Sequence, residues 1–227
     1  MIRFRQLHPW NVTRRQAIDI QKSLCRHVVL KKLPGTVRSV AGADVSFSKK
    51  SDILWAGIVV LSYPGLQKME AKWVMGKTDF PYIPGLLSFR EVPVLLRVLT
   101  ELEREPDLIL CDGQGIAHPR GVGLASHIGI LTAKPTIGCA KKRLVGEFSE
   151  VGPHKCNYSY LFYKGRRVGA AVRTKNNVNP LFISPGNAIT IEEAIEIALN
   201  CTMNHRIPEP VRQAHLLVNQ IRREQEN

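Results

Sequence analysis

Apolar residues recur along this chain with two periods, one helical and one strand-like. Ala17, Ile20, Leu24 and Val28 follow at helical spacing behind Thr13 and Gln16, the pair of a capping box. A helix is therefore predicted, ended by Pro34-Gly35, with Arg14, Arg15, Lys22 and Arg26 off the stripe as a solvated basic face. Three strands follow, Ser39 to Phe47, Leu54 to Ser62 and Lys68 to Met75, the last alternating and so exposed on one face. The turns between them, Lys49 to Asp52 and Tyr63-Pro64-Gly65, are short enough to make antiparallel neighbours. Residues 86–105 carry Leu86, Phe89, Leu95, Leu96, Leu99 and Leu102 at helical spacing, and Pro93 predicts a kink or a restart.

The second half alternates more quickly. Leu108 to Cys111 reads as a buried strand, residues from roughly Val122 to Thr132 as a helix, and Pro135 to Cys139 as another strand. Tyr158 to Tyr163 and Val168 to Thr174 pair as a hairpin across Lys164-Gly165. Pro180 to Ser184 is a strand stopped by Pro185-Gly186. Thr190 and Glu193 open a helix to about Cys201, and Arg206-Ile207-Pro208-Glu209-Pro210 introduces a last one, with Ala214, Leu217, Val218 and Ile221 inward. Without internal repeats, this order predicts a single α/β domain over residues 1–227.

Composition narrows the function classes. No apolar run is long enough to span a bilayer, and no apolar segment backs the charged N-terminus, so neither a membrane nor a secretory role is expected. Five scattered cysteines without a Cys-x-x-Cys pair predict reduced thiols and a cytoplasmic location. The formal charge is +13, and its distribution matters more than its size. Asp19 is the only acid before Asp44, against nine Lys and Arg; no acid lies between Asp112 and Glu147, nor between Glu150 and Glu192. Acid-free blocks of this length attract a polyanion, nucleic acid first.

The candidate chemistry gathers around Asp112. This carboxylate ends the buried strand and is followed by Gly113, Gly115, His118, Pro119, Arg120 and Gly121. The C-terminal end of a strand in an open α/β sheet is where ligands usually sit. Asp44 stands inside an apolar strand, where an unpaired carboxylate is costly. Glu91 lies on the helix that follows residues 78–85. In that segment Pro81 and Pro84 bracket Tyr82 and Ile83 on a stiff, extended loop, suited either to an ordinary packed turn or to a base-stacking wedge. Oxygen ligands from Asp44, Glu91 and Asp112 suit Mg²⁺ or Mn²⁺, and an acidic metal cluster in a basic protein suggests phosphodiester cleavage. His118 could order the attacking water, and Lys141, at the end of a buried strand, could reach a phosphate. His215, alone on the last helix, is ambiguous: a possible site residue, with core or cap as the default for a lone histidine.

The segments Ala41-Gly42-Ala43-Asp44-Val45-Ser46-Phe47, Phe80-Pro81-Tyr82-Ile83-Pro84-Gly85 through Glu91, and Asp112-Gly113-Gln114-Gly115-Ile116-Ala117-His118-Pro119-Arg120 resemble the motifs of endonuclease V. So do Arg5-Gln6-Leu7-His8, Gly138-Cys139-Ala140-Lys141 and Arg206 to Pro210, so the resemblance spans almost the whole chain. It implies an RNase H-like fold, a central mixed β-sheet flanked by helices. It also implies Mg²⁺-dependent hydrolysis of the second phosphodiester bond 3′ to deoxyinosine, leaving 3′-hydroxyl and 5′-phosphate ends. By the same resemblance Asp44 and Asp112 are metal ligands, Glu91 completes the cluster, His118 assists the water and Lys141 holds the phosphate. Pro81, Tyr82, Ile83 and Pro84 form the wedge, and Gly113 and Gly115 line the base pocket. Two further readings stay open: inosine in single-stranded RNA as substrate, and a basic nucleic-acid-binding module without turnover. A monomer is expected.

Overall fold

A computed structural model describes residues 2–226. Eight strands form one mixed sheet: β1 (Ser39–Phe47), β2 (Ile53–Ser62), β3 (Lys68–Lys77), β4 (Leu108–Cys111), β5 (Thr136–Ala140), β6 (Tyr158–Tyr163), β7 (Arg166–Val172) and β8 (Leu181–Asn187). Their order is β3-β2-β1-β4-β5-β8-β7-β6, with β1–β4 and β4–β5 parallel and the other neighbours antiparallel. The helices are α1 (Arg14–Leu24), α2 (Leu87–Glu101), α3 (Leu124–Thr132), α4 (Ile191–Asn200) and α5 (Glu209–Glu226). Both capping boxes form, at Thr13 with Gln16 and at Thr190 with Glu193.

Side chains alternate across the sheet, so β1 and β4 each feed two cores. Ala41, Ala43, Ile109 and Cys111 pack with Leu95, Leu99 and Ile128 from α2 and α3. Val40, Leu108 and Leu110 pack on the other face with Ile195, Val211 and Ala214 from α4 and α5. The last helix is seated by one missing side chain: a Cβ on Gly42 would overlap the backbone of Pro210. From that contact α5 follows β1. Pro210 lies over Gly42, His215 meets Asp44, and Asn219 accepts from Ser46 (3.1 Å). Two-residue steps on a strand, about 6.6 Å, match four- to five-residue steps on a helix, about 6–7.5 Å.

Several expectations need correcting. The first helix ends at Leu24, with one turn of 3₁₀ helix at Cys25–His27, well short of Pro34-Gly35. The chain beyond finds better partners outside: Val29 N–H donates to Asn187 (3.0 Å) and Leu33 N–H to Glu193 (3.0 Å). Helix α2 runs unbroken through Pro93, without a restart. Strand β8 continues through Pro185-Gly186, because a bulge opposite Thr136–Ile137 absorbs the extra residue. Strand β3, at the sheet edge, is exposed on one face as expected, through Met69, Trp73 and Met75, and buries only Val74 fully on the other.

Candidate active site

In-register parallel pairing of Ala43 with Cys111 puts the next residues, Asp44 and Asp112, side by side on the α5 face of the sheet. Asp112 N–H donates to the Ala43 carbonyl (3.1 Å), which holds the two strand ends together. From α5, His215 Nδ1 donates to Asp44 Oδ2 (2.7 Å). Ligand atoms of Asp44, Asp112 and His215 all lie within 4.8 Å of one another. Lys141, just past β5, forms an ion pair with Asp112 through Nζ. Its carbonyl accepts from Arg206 (2.9 Å), which also donates to Pro180 (2.8 Å), so the Arg206–Pro210 segment steadies the lysine's backbone.

Glu91 is buried on α2, on the opposite side of the sheet beside Cys111, outside that set of ligand atoms. Burial, then the charges of Asp44 and Asp112, hold its carboxyl well above the usual range. Asp112 is raised by burial and by Asp44, with Lys141 acting against them. His215 is raised by its hydrogen bond to Asp44. Crowded negative charge of this kind is what a divalent cation relieves, and two carboxylates with one imidazole are a suitable donor set.

Next to this cluster lies a cavity of about 400 Å³. Its walls include Tyr82 to Gly85 on one side and Gly113, Gln114 and His118 on the other, with Lys142 and Leu144 at the rim. Tyr82 is 68% exposed, the most exposed of the large apolar and aromatic side chains among the described residues. Its loop is anchored rather than loose: Ile83 packs toward Phe80 and Phe89, and Arg90 donates to the Phe80 carbonyl (2.9 Å). At the loop's end the Gly85 carbonyl receives three donors: Gln21 Nε2 (3.1 Å), His118 Nε2 (2.9 Å) and Arg120 Nη2 (2.7 Å). Gly85 has φ +79°, so an L side chain would strain this anchor point.

His118 therefore stands elsewhere than beside the carboxylates. Its Nδ1 accepts from Arg120 N–H (3.2 Å), so both ring nitrogens are used by the protein, and burial pushes its pKa down to about 4. In this arrangement it walls the cavity and ties down the Tyr82 loop, with no nitrogen left for a water. Gly115 also lies outside the cavity lining: its N–H donates to Ser184 Oγ (2.8 Å), and a Cβ there would overlap Pro185. His215, a possible site residue on sequence grounds with core or cap as its default, joins the acidic pair; Gln21 is the residue that the sequence pattern did not single out. Gln21 sits mid-stripe on α1, buried, and donates to Gly85 and to the Val122 carbonyl (3.0 Å). A polar residue four positions after Ala17 on an apolar stripe was the available signal for it.

The family profile described as Endonuclease V matches residues 22–216. A protein of Methanothrix thermoacetophila named Endonuclease V is 48% identical over 216 residues, covering 95% of each chain. The crystal structure of Endonuclease V from Streptomyces avermitilis superposes with a TM-score of 0.90 at 36% identity, covering all of both chains. That of Ciona intestinalis Endonuclease V superposes with a TM-score of 0.82 at 26% identity, over 92% of this chain and 98% of that one. It was crystallised in complex with a 24mer DNA containing an inosine followed by a ribo-adenosine. The mixed sheet with its flanking helices is accordingly an α/β fold of the RNase H-like nuclease class.

Proposed function

The chain belongs to the endonuclease V family of nucleases, and from that membership we propose an inosine-directed, divalent-metal-dependent endonuclease acting in DNA repair. It would hydrolyse the second phosphodiester bond 3′ to deoxyinosine, leaving 3′-hydroxyl and 5′-phosphate ends. The observation that carries this reading is one juxtaposition: the Asp44–Asp112–His215 cluster opens beside a base-sized cavity whose wall is the anchored, exposed Tyr82 loop.

Asp44, Asp112 and His215 would hold Mg²⁺, or Mn²⁺ in its place, with the buried Glu91 electrostatically coupled to both carboxylates. The bound ion would lower the pKa of an attacking water and offset charge on the leaving oxygen. Lys141 exchanges its partner: the ammonium that now pairs with Asp112 is within reach of a phosphate oxygen arriving at the same carboxylate. Tyr82 occupies the gap an extruded base leaves, while Gly113, with no side chain, lets a planar base approach the backbone. His118 and Arg120 keep the wall in place through Gly85. The ribo-adenosine in the Ciona complex supports a second reading, inosine in RNA, on this same site.

The test is Asp112→Ala on a deoxyinosine duplex, read at nucleotide resolution with and without chelator. Nicking is expected to fall roughly a thousandfold or more, with lesion binding retained. Full activity in that variant, or in excess chelator, sinks the proposal. Matched DNA and RNA oligonucleotides compare the two substrates, and no turnover by the unaltered protein with either Mg²⁺ or Mn²⁺ leaves only a binding module.

A further inference from the structure

The acid-free block between Glu150 and Glu192 is not used by the site above, yet it builds a cavity of its own. On the far side of the loop that carries His118 lies a cleft of about 530 Å³. His118 lines both this cleft and the cavity beside the metal cluster, so the two share a wall. Val28, Leu30 and Ile116 give it an aliphatic lining, which Tyr163 completes. Lys164 and Arg166 rise at the edge, both exposed, and no Asp or Glu lines the cleft. Lys164 Nζ sits 5.3 Å from the centre of the Tyr163 ring. Arg167 is already committed to Glu192 (3.2 Å), whereas Lys164 and Arg166 make no ion pair among the described residues.

We propose that this cleft is a second nucleotide subsite, which takes an unpaired nucleotide flanking the one held in the first cavity. The base lies on the aliphatic lining against Tyr163, and its phosphates meet Lys164 and Arg166. Charge selects the class of ligand, because a cleft edged by free cations and lacking acids favours a polyanion. Shape selects the unpaired form. A duplex presents phosphates over a broad surface and needs only cations there, whereas aliphatic and aromatic walls in a cleft are rewarded by burying the face of a base. The shared His118 wall means that a strand crossing this loop can occupy both sites. The inference rests on the nucleic-acid reading of the first site, and its test is a binding measurement that needs no turnover.

The probe is a lesion-free, fluorescently labelled single-stranded DNA 20-mer, titrated without divalent metal at several salt concentrations, beside a duplex of the same length. The proteins are the unaltered chain, the double variant Lys164→Gln with Arg166→Gln, and Leu30→Ser. For the single strand, losing two phosphate contacts should reduce the slope of log K against log[salt] by about 1.4. Leu30→Ser should weaken single-strand binding about fivefold with the slope unchanged, because it removes contact and not charge. Duplex affinity should stay nearly the same in both. An unchanged single-strand slope in the double variant, or equal losses on duplex and single strand, overturns the subsite. Nicking of a deoxyinosine duplex, run in parallel, separates the two ideas: an unaltered chain that never nicks refutes the proposed activity and leaves the binding result standing.

Discussion

Tyr82 and His215 show how differently two single residues disclose themselves. Tyr82 is placed by covalent geometry: Pro81 and Pro84 restrict the chain around it, and the anchored Gly85 end leaves the ring outside. Tyr82→Ala should weaken binding to inosine DNA by about one order of magnitude while barely changing affinity for undamaged DNA, measured by competition titration. Equal losses would reduce the ring to a general contact. His215 has no such local signature. Its meaning comes from Asp44, 171 positions away in sequence and 2.7 Å away in space. His215→Ala should lower the apparent affinity for Mn²⁺ by roughly 10- to 100-fold, read from the metal concentration that half-restores nicking. An unchanged metal titration would return the residue to a packing role. Glu91, raised by burial and then by neighbouring charge, belongs with His215 here: a helical Glu reads as solvated until its neighbours are known.

Among the elements, β1 and α5 decide whether the site exists. The strand was readable from its apolar run and the helix from its stripe, but the step between them depends on Gly42. Gly42→Ala would force the start of α5 away from β1 and carry His215 off Asp44. A loss of about 3 kcal/mol or more is expected from chemical denaturation, together with weaker metal binding. Gly65→Ala is the control, since the nearest atom to its added Cβ is Ser62 Oγ at 3.5 Å. Near-native stability in Gly42→Ala would mean that the helix can slide without loss. The misplaced end of α1 and the early stop assigned to β8 share one cause. Gly and Pro mark local preference, while distant partners, Asn187 for Val29 and Thr136 for Asn187, decide where an element ends.

At the scale of the molecule, three buried histidines set the acid limit. His8 Nδ1–H donates to the Pro9 carbonyl (2.8 Å), so its Nε2 accepts from His127 Nε2–H (2.7 Å), tying the N-terminal strap to α3. Burial lowers the pKa of both rings, and it pushes His118 down to about 4. Each ring therefore binds its proton more weakly when folded than when unfolded. Their contribution is complete above pH about 6.5 and is lost as the pH falls toward the folded values, since the unfolded chain takes up protons first. For His118 alone the loss down to pH 4 is about 3 kcal/mol. Urea denaturation between pH 7.5 and 4.5 should show stability falling with acid, and His127→Gln should flatten the curve. A profile that stays level below pH 6.5 contradicts the neutral assignment.

The sequence by itself determined the things that local chemistry controls. These are the capping boxes, the strand runs, the stiff Tyr82 loop, the basic blocks, and the carboxylates Asp44 and Asp112 set into apolar strands. It also carried the motifs that identify the family. Only the tertiary structure decided which groups meet. Parallel register made Asp44 and Asp112 neighbours, Gly42 brought His215 to them, and the packing of α2 against the Ala43–Cys111 face brought Glu91 in from the other side. The Gly85 anchor drew Gln21, His118 and Arg120 from separate parts of the chain onto one carbonyl. The physical reason is common to all of these. Caps, turns and periodicity act over a few residues, whereas register and close approach depend on backbone that is distant in sequence, and those decide which side chains share a space.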